Sequence, residues 1–144
     1  MDGEQMVSKL AEARRKEAES EKITINLGYV DLGHIDLLVA EGFYSNRTDF
    51  IRTAIRNQVL THGEVLKKSV ERRSMVLGLQ RYTRVDLENV LAAGEKLHIH
   101  VLGLATIDDD VPPQLAAQAI ASVVVLGALR ASPQVKAALA DRIR

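Results

Sequence analysis

The chain has 144 residues, 19 Lys or Arg against 19 Asp or Glu, and no cysteine. The neutral balance excludes bulk basic charge as a source of nucleic-acid affinity, and the missing thiols exclude a disulfide framework, thiol catalysis and a thiolate metal site. A composition of 47% hydrophobic and 26% charged residues is that of one ordinary globular domain or two small ones. No apolar run approaches a membrane span and no signal-peptide core opens the chain, so the expectation is a soluble cytoplasmic protein.

Residues 1–20 are polar and charge-rich and read as a mobile N-terminal arm, with partial helicity around Met6, Leu10 and Ala13 as the alternative. Next comes Lys22-Ile23-Thr24-Ile25-Asn26-Leu27, an alternating strand. Side chains of a strand face opposite ways in turn, so Ile23, Ile25 and Leu27 share an apolar face. Lys22, Thr24 and Asn26 share the other face, with an ammonium, a hydroxyl and an amide. These groups hydrogen-bond to base edges and phosphates. A first helix is predicted over residues 30–41, where Leu32, Ile35, Leu38 and Val39 form one stripe. Gly33 weakens that helix and Gly42 ends it. After a short loop, Ser45 or Asn46 can cap a second helix. That helix carries Phe50, Ile51, Ala54, Ile55 and Val59 on one face and is predicted to run toward Lys68.

A strand and two helices in about 40 residues bury too little to stand alone. Pairing two copies solves this: the strands join as an antiparallel ribbon and four helices close beneath it. Here the chain resembles the ribbon-helix-helix family of MetJ/Arc/CopG-type DNA-binding proteins, in its CopG-like branch. The carrying residues are the strand at 22–27 and Gly42-Phe43-Tyr44-Ser45-Asn46-Arg47-Thr48-Asp49-Phe50-Ile51-Arg52-Thr53-Ala54-Ile55-Arg56. The resemblance covers residues 22–60. It implies an obligate homodimer on double-stranded DNA. Lys22, Thr24 and Asn26 would contact bases in the major groove, and Ser45, Asn46, Arg47 and Thr48 would contact phosphate at the start of the second helix. Many relatives have a proline and acids at the start of the first helix, where this chain has Gly28-Tyr29-Val30. Each feature also has a plainer reading: an edge strand with a wet face, a helix cap, and solvated Arg52 and Arg56 or a pair with Asp49. Residues 1–60 hold eight basic and ten acidic residues, although Arg14-Arg15-Lys16 and Lys67, Lys68, Arg72 and Arg73 flank the motif.

The second half repeats. Val-Leu-Gly occurs at 76–78, 101–103 and 125–127, with glycines 25 (103 − 78) and 24 (127 − 103) residues apart. Val111 and Leu115, then Val135 and Leu139, recur at matched offsets after the second and third glycines. Pro112-Pro113 and Pro133 mark helix starts. Each unit reads as strand, turn and helix: 75–80 with 85–93, 97–107 with 112–119, and 122–131 with 133–144. The expected fold class is therefore α+β, an intertwined ribbon-helix-helix dimerisation domain at 21–68 followed by a short solenoid-like strand-helix domain at 74–144. The alternative is a compact α/β domain with a chance repeat. Unpaired strand edges at its ends suggest that the second half joins dimers into tetramers or longer arrays.

His98 and His100 lie two apart on one strand face, a spacing that can chelate a metal. Two ligands make an incomplete site, and no cofactor or metal is expected. The acidic run Asp108-Asp109-Asp110 reads as a solvated turn. There is no phosphate-cradling glycine loop, nucleophile elbow or His-Glu-x-x-His, so no enzyme is expected. The sequence points to a transcriptional repressor reading the major groove with a two-stranded ribbon. The competing class is a DNA-anchored scaffold, or an antitoxin, whose second half binds another protein.

Overall fold

A computed structural model describes residues 3–9 and 19–144, and its chain divides into two compact units at Gly63 and Glu64. The helical stretch at 3–9 belongs to the segment read as an arm; the basic run Arg14-Arg15-Lys16 lies outside the described residues.

In the first unit, residues 20–28 have no regular secondary structure, and helix α1 (Tyr29–Ala40) follows. It starts without a side-chain cap at Gly28, and the chain leaves it through Gly42 at φ +87. Helix α2 (Arg47–Thr61) opens at Asn46, whose side chain accepts the Asp49 N–H. The predicted continuous run to Lys68 is interrupted at His62, and a separate helix α3 (Gly63–Arg72) begins anew, all but its first residue belonging to the second unit. Gly63 is a poor helix interior residue. The Thr61 hydroxyl also bonds the Asn57 carbonyl, a competitor for helical backbone.

The first unit hides almost nothing. Ile35 is its single buried hydrophobic among the described residues, and α2 buries no residue at all. Tyr44 and Phe50 meet edge to face with centroids 5.0 Å apart. Ile23 and Ile25 remain 76% and 61% exposed.

In the second unit, β1 (Val76–Tyr82), α4 (Arg84–Ala92), β2 (Leu97–Ile107), α5 (Pro113–Ala119), β3 (Ile120–Arg130) and α6 (Pro133–Ala138) alternate. The strands form one parallel sheet in the order β1-β2-β3. Thr83 and Asp86 cap α4 reciprocally, while Pro113 and Pro133 occupy first turns, where their missing N–H costs nothing. The last helix is shorter than the predicted 133–144. After Leu139 the chain turns back, and Ile143 pairs with Val123 at the outer edge of β3. Two edge hydrogen bonds there satisfy β3 groups that a continued helix would leave open.

The three Val-Leu-Gly triplets lie side by side: Val76, Val101 and Val125 are in register, as are Gly78, Gly103 and Gly127. All three glycines have positive φ, +119, +140 and +121. A Cβ on Gly103 would overlap the Gly78 carbonyl, and one on Gly127 would overlap the Gly103 carbonyl. The repeated glycine thus serves strand-to-strand contact as well as backbone conformation.

Leu87, Ile99, Val101, Ile107, Val123, Val135 and Leu139 form a closed core between one sheet face and the helices. Burying each such side chain contributes about 1.5–3 kcal/mol. Among the described residues, α4, α5 and α6 all pack on the core side, and the opposite face, with Leu102, Leu104 and Val124 among others, carries none of them. Parallel sheets are normally covered on both faces. Gly103→Ala is expected to destabilise the protein by roughly 2–5 kcal/mol, through positive φ and the carbonyl overlap together. Gly94→Ala, at φ +69 with open space around it, is expected to cost only about 1–2 kcal/mol. Thermal melts of the two variants check the difference.

Candidate nucleic-acid interface

Lys22, Thr24 and Asn26 lie on the extended approach to α1, and all three are exposed. Their segment pairs with no strand of its own chain among the described residues; the one sheet is β1-β2-β3. The polar triad and the alternating isoleucines thus take part in no strand pairing among the described residues.

The second candidate group sits at the start of α2. The first N–H groups of any helix lack intrahelical acceptors, and the helix dipole makes that end positive. Asn46 Oδ1 accepts the Asp49 N–H at 2.8 Å, and the Ser45 N–H donates to Asp49 Oδ2 at 2.9 Å. Asn46 and Asp49 thereby lock the turn that presents Ser45, Arg47 and Thr48, all exposed. The Asp49 carboxylate also places negative charge beside the end expected to meet phosphate.

Arg47 has a partner that the sequence did not suggest. Its Nε and Nη2 donate to the two carboxylate oxygens of Asp36 on α1, each at 2.8 Å. The fork-on-carboxylate geometry ties α1 to α2 and directs the guanidinium in the free chain. Eleven residues and a loop separate the partners, so no helical spacing signals the pair. The hydrogen bonds from Arg47 hold the Asp36 carboxyl below its ordinary value of 3.8. Arg52 and Arg56 are exposed and enter none of the ion pairs seen among the described residues.

The two histidines come together elsewhere. His98 Nδ1 and His100 Nε2 lie 2.7 and 3.2 Å from the Ser122 hydroxyl on the uncovered sheet face. Among the described residues no three His, Cys, Asp or Glu side chains are grouped to hold a metal ion. Asp108 of the acidic turn is bidentate with Arg81, tying the end of β1 to the turn after β2.

The sequence matches the ribbon-helix-helix transcriptional regulator family over residues 18–136. The chain belongs to that family. The match begins before the exposed triad and extends through all three strands of the second unit, so both halves are part of what defines this ribbon-helix-helix regulator. Its role is that of a DNA-binding transcriptional regulator. No curated protein and no solved structure matches the chain. No helix among the described residues is long and apolar enough to cross a membrane.

The Asp36–Arg47 link carries a pH signature. The folded carboxyl titrates below 3.8, so its stabilisation is present above that value and is lost as pH falls through the lower folded value. Asp36→Asn is expected to lower the melting temperature at neutral pH, and the gap to the unaltered protein is expected to close on acidification below about pH 3.8. Melting curves recorded across that range test it.

Proposed function

We propose that this regulator acts as a homodimeric repressor. The segments at 22–27 of two chains pair as an antiparallel ribbon, which enters the major groove. The observation that carries this reading is the unclosed first unit. Ile23, Ile25, Ile55, Val59 and Leu60 are more than half exposed in the single chain. A second copy supplies the missing half of that core, and the pairing that hides the isoleucines turns Lys22, Thr24 and Asn26 outward.

In this reading Lys22 addresses guanine acceptors, Asn26 makes a bidentate contact with adenine, and Thr24 discriminates less. Ser45, Asn46, Arg47 and Thr48 sit against phosphate, with first-turn N–H groups and the helix dipole supplying the attraction. Arg47 does two jobs, clamping Asp36 and facing the backbone. The neutral chain lends little diffuse attraction, so binding rests on a few placed contacts and weakens with salt. The second unit joins chains into assemblies above the dimer, which makes operator binding cooperative. Its edge and its uncovered sheet face support this role over that of an independent domain.

Selection of bound fragments from random DNA tests the base-reading role. Asn26→Ala is expected to relax preference at one base position, at a cost of about 1–3 kcal/mol on the preferred site. Arg47→Ala is expected to weaken all sequences alike. Asp36→Ala separates the two jobs of Arg47: binding retained there but lost in Arg47→Ala assigns the arginine to phosphate, whereas equal loss in both assigns it to the clamp alone. Uniform loss across sequences from Asn26→Ala would remove its base-reading role.

A further inference from the structure

We propose that the free edge of β1 is a docking strand for the β1 of a second copy. The two strands run antiparallel about a two-fold axis at Gly78 and join two three-stranded sheets into one of six. The inference rests on the reading that the second unit assembles chains, and it names the surface that does so.

The two edges of the sheet differ. At β3, the Val123 N–H donates to the Arg142 carbonyl and the Val123 carbonyl accepts from the Arg144 N–H, both at 3.0 Å. The Arg142 guanidinium holds this returning tail by donating to the carbonyls of Ala117 and Ile120. That edge is therefore occupied where it begins. At β1, no described segment pairs on the side away from β2. Soluble proteins protect such edges with charges, proline or a covering element. Residues 76–80 offer neither charge nor proline, and Leu77 and Leu79 are 69% and 59% exposed. The first charge, Arg81, is drawn away to Asp108.

Gly78 indicates what approaches. In β2 and β3 the space where the equivalent glycine would carry a Cβ is filled by a backbone carbonyl of the preceding strand. Gly78 has the same positive φ, yet nothing lies within 4 Å of its Cβ position. The edge repeats a contact surface shaped for a neighbouring backbone and lacks only the neighbour. A β1-to-β3 contact between copies would meet the tail at Val123 and would generate an open array. A β1-to-β1 contact uses one patch on both chains and closes. With Gly78 facing its own copy, Leu77 lies opposite Leu79 of the second chain and Leu79 opposite Leu77. These are apolar cross-strand pairs, and no like charges face each other.

The chain has no cysteine of its own, so introduced thiols report alone. Full-length Leu77→Cys and Leu79→Cys proteins are mixed, allowed to exchange subunits and oxidised gently. Directly opposed residues in an antiparallel pair lie about 4.5–5.5 Å apart at Cα, within disulfide range. Like residues sit on the diagonal, at about 7–8 Å. The expected result is a covalent dimer that joins one chain of each kind, far exceeding that formed by either protein alone. Hydrogen exchange on the unaltered chain gives a second measurement without substitution. Protection at successive β1 amides, as strong as in β2, supports the pairing, and fast exchange at alternate β1 amides overturns it.

Sedimentation of the unaltered protein separates this inference from the reading beneath it. A complex larger than a dimer, with no mixed disulfide, overturns the β1 edge and leaves assembly by the second unit standing. A dimer with the mixed disulfide overturns higher assembly and upholds the edge. A dimer without it overturns both.

Discussion

The first unit of this protein does not close a core within the single chain, and the proposed function rests on that shortage. Among the described residues, one extended segment and two helices enclose a single buried isoleucine, Ile35. Apolar side chains left in water cost free energy in proportion to their area, and a second chain is the economical remedy. The same shortage keeps the 22–27 segment free. Had a strand of the second unit paired with it, Lys22, Thr24 and Asn26 would belong to an internal sheet edge. In the proposed dimer, dependence on a partner and display of the polar triad are two consequences of one unpaired segment.

The second unit obeys the opposite rule. Its core is closed on one side by α4, α5 and α6 and is stacked in register through three equivalent glycines. Those glycines permit each carbonyl to press on the next strand, so the sheet is specified by what is absent at one position per strand. What the unit leaves unsatisfied is peripheral: an edge at β1 and a face without helices. Under the proposed function, a partner for the first unit and an open surface on the second place affinity and cooperativity in separate parts of the chain.

Electrostatics at the candidate interface are local. The chain carries no net charge. Under the proposed function, the attraction to DNA comes from placed groups, namely the start of α2 and the exposed triad. Arg47 is shared between this surface and the scaffold because Asp36 holds it in a two-bond fork. Asp49 lowers the positive character of the helix start while fixing its shape. Geometry at this site comes at some cost in raw attraction, an arrangement that favours selective over diffuse binding.

The sequence by itself determined most of the elements and their kinds. Apolar stripes marked both N-terminal helices, and the spacing of Val-Leu-Gly marked three equivalent strands, because these periodicities are local properties of a chain. Asn46 as a cap was legible for the same reason. The alternation at Lys22–Leu27 corresponds to no strand within the single chain. Tertiary structure decided what depends on distant partners: the Arg47–Asp36 fork, the break at His62 and the return of Ile143 to Val123. It also decided that glycine triplets spaced along the chain become a contact ladder across a sheet. Carbonyl-to-glycine contact exists only after register is set, and register is fixed by packing against a core that no single segment contains.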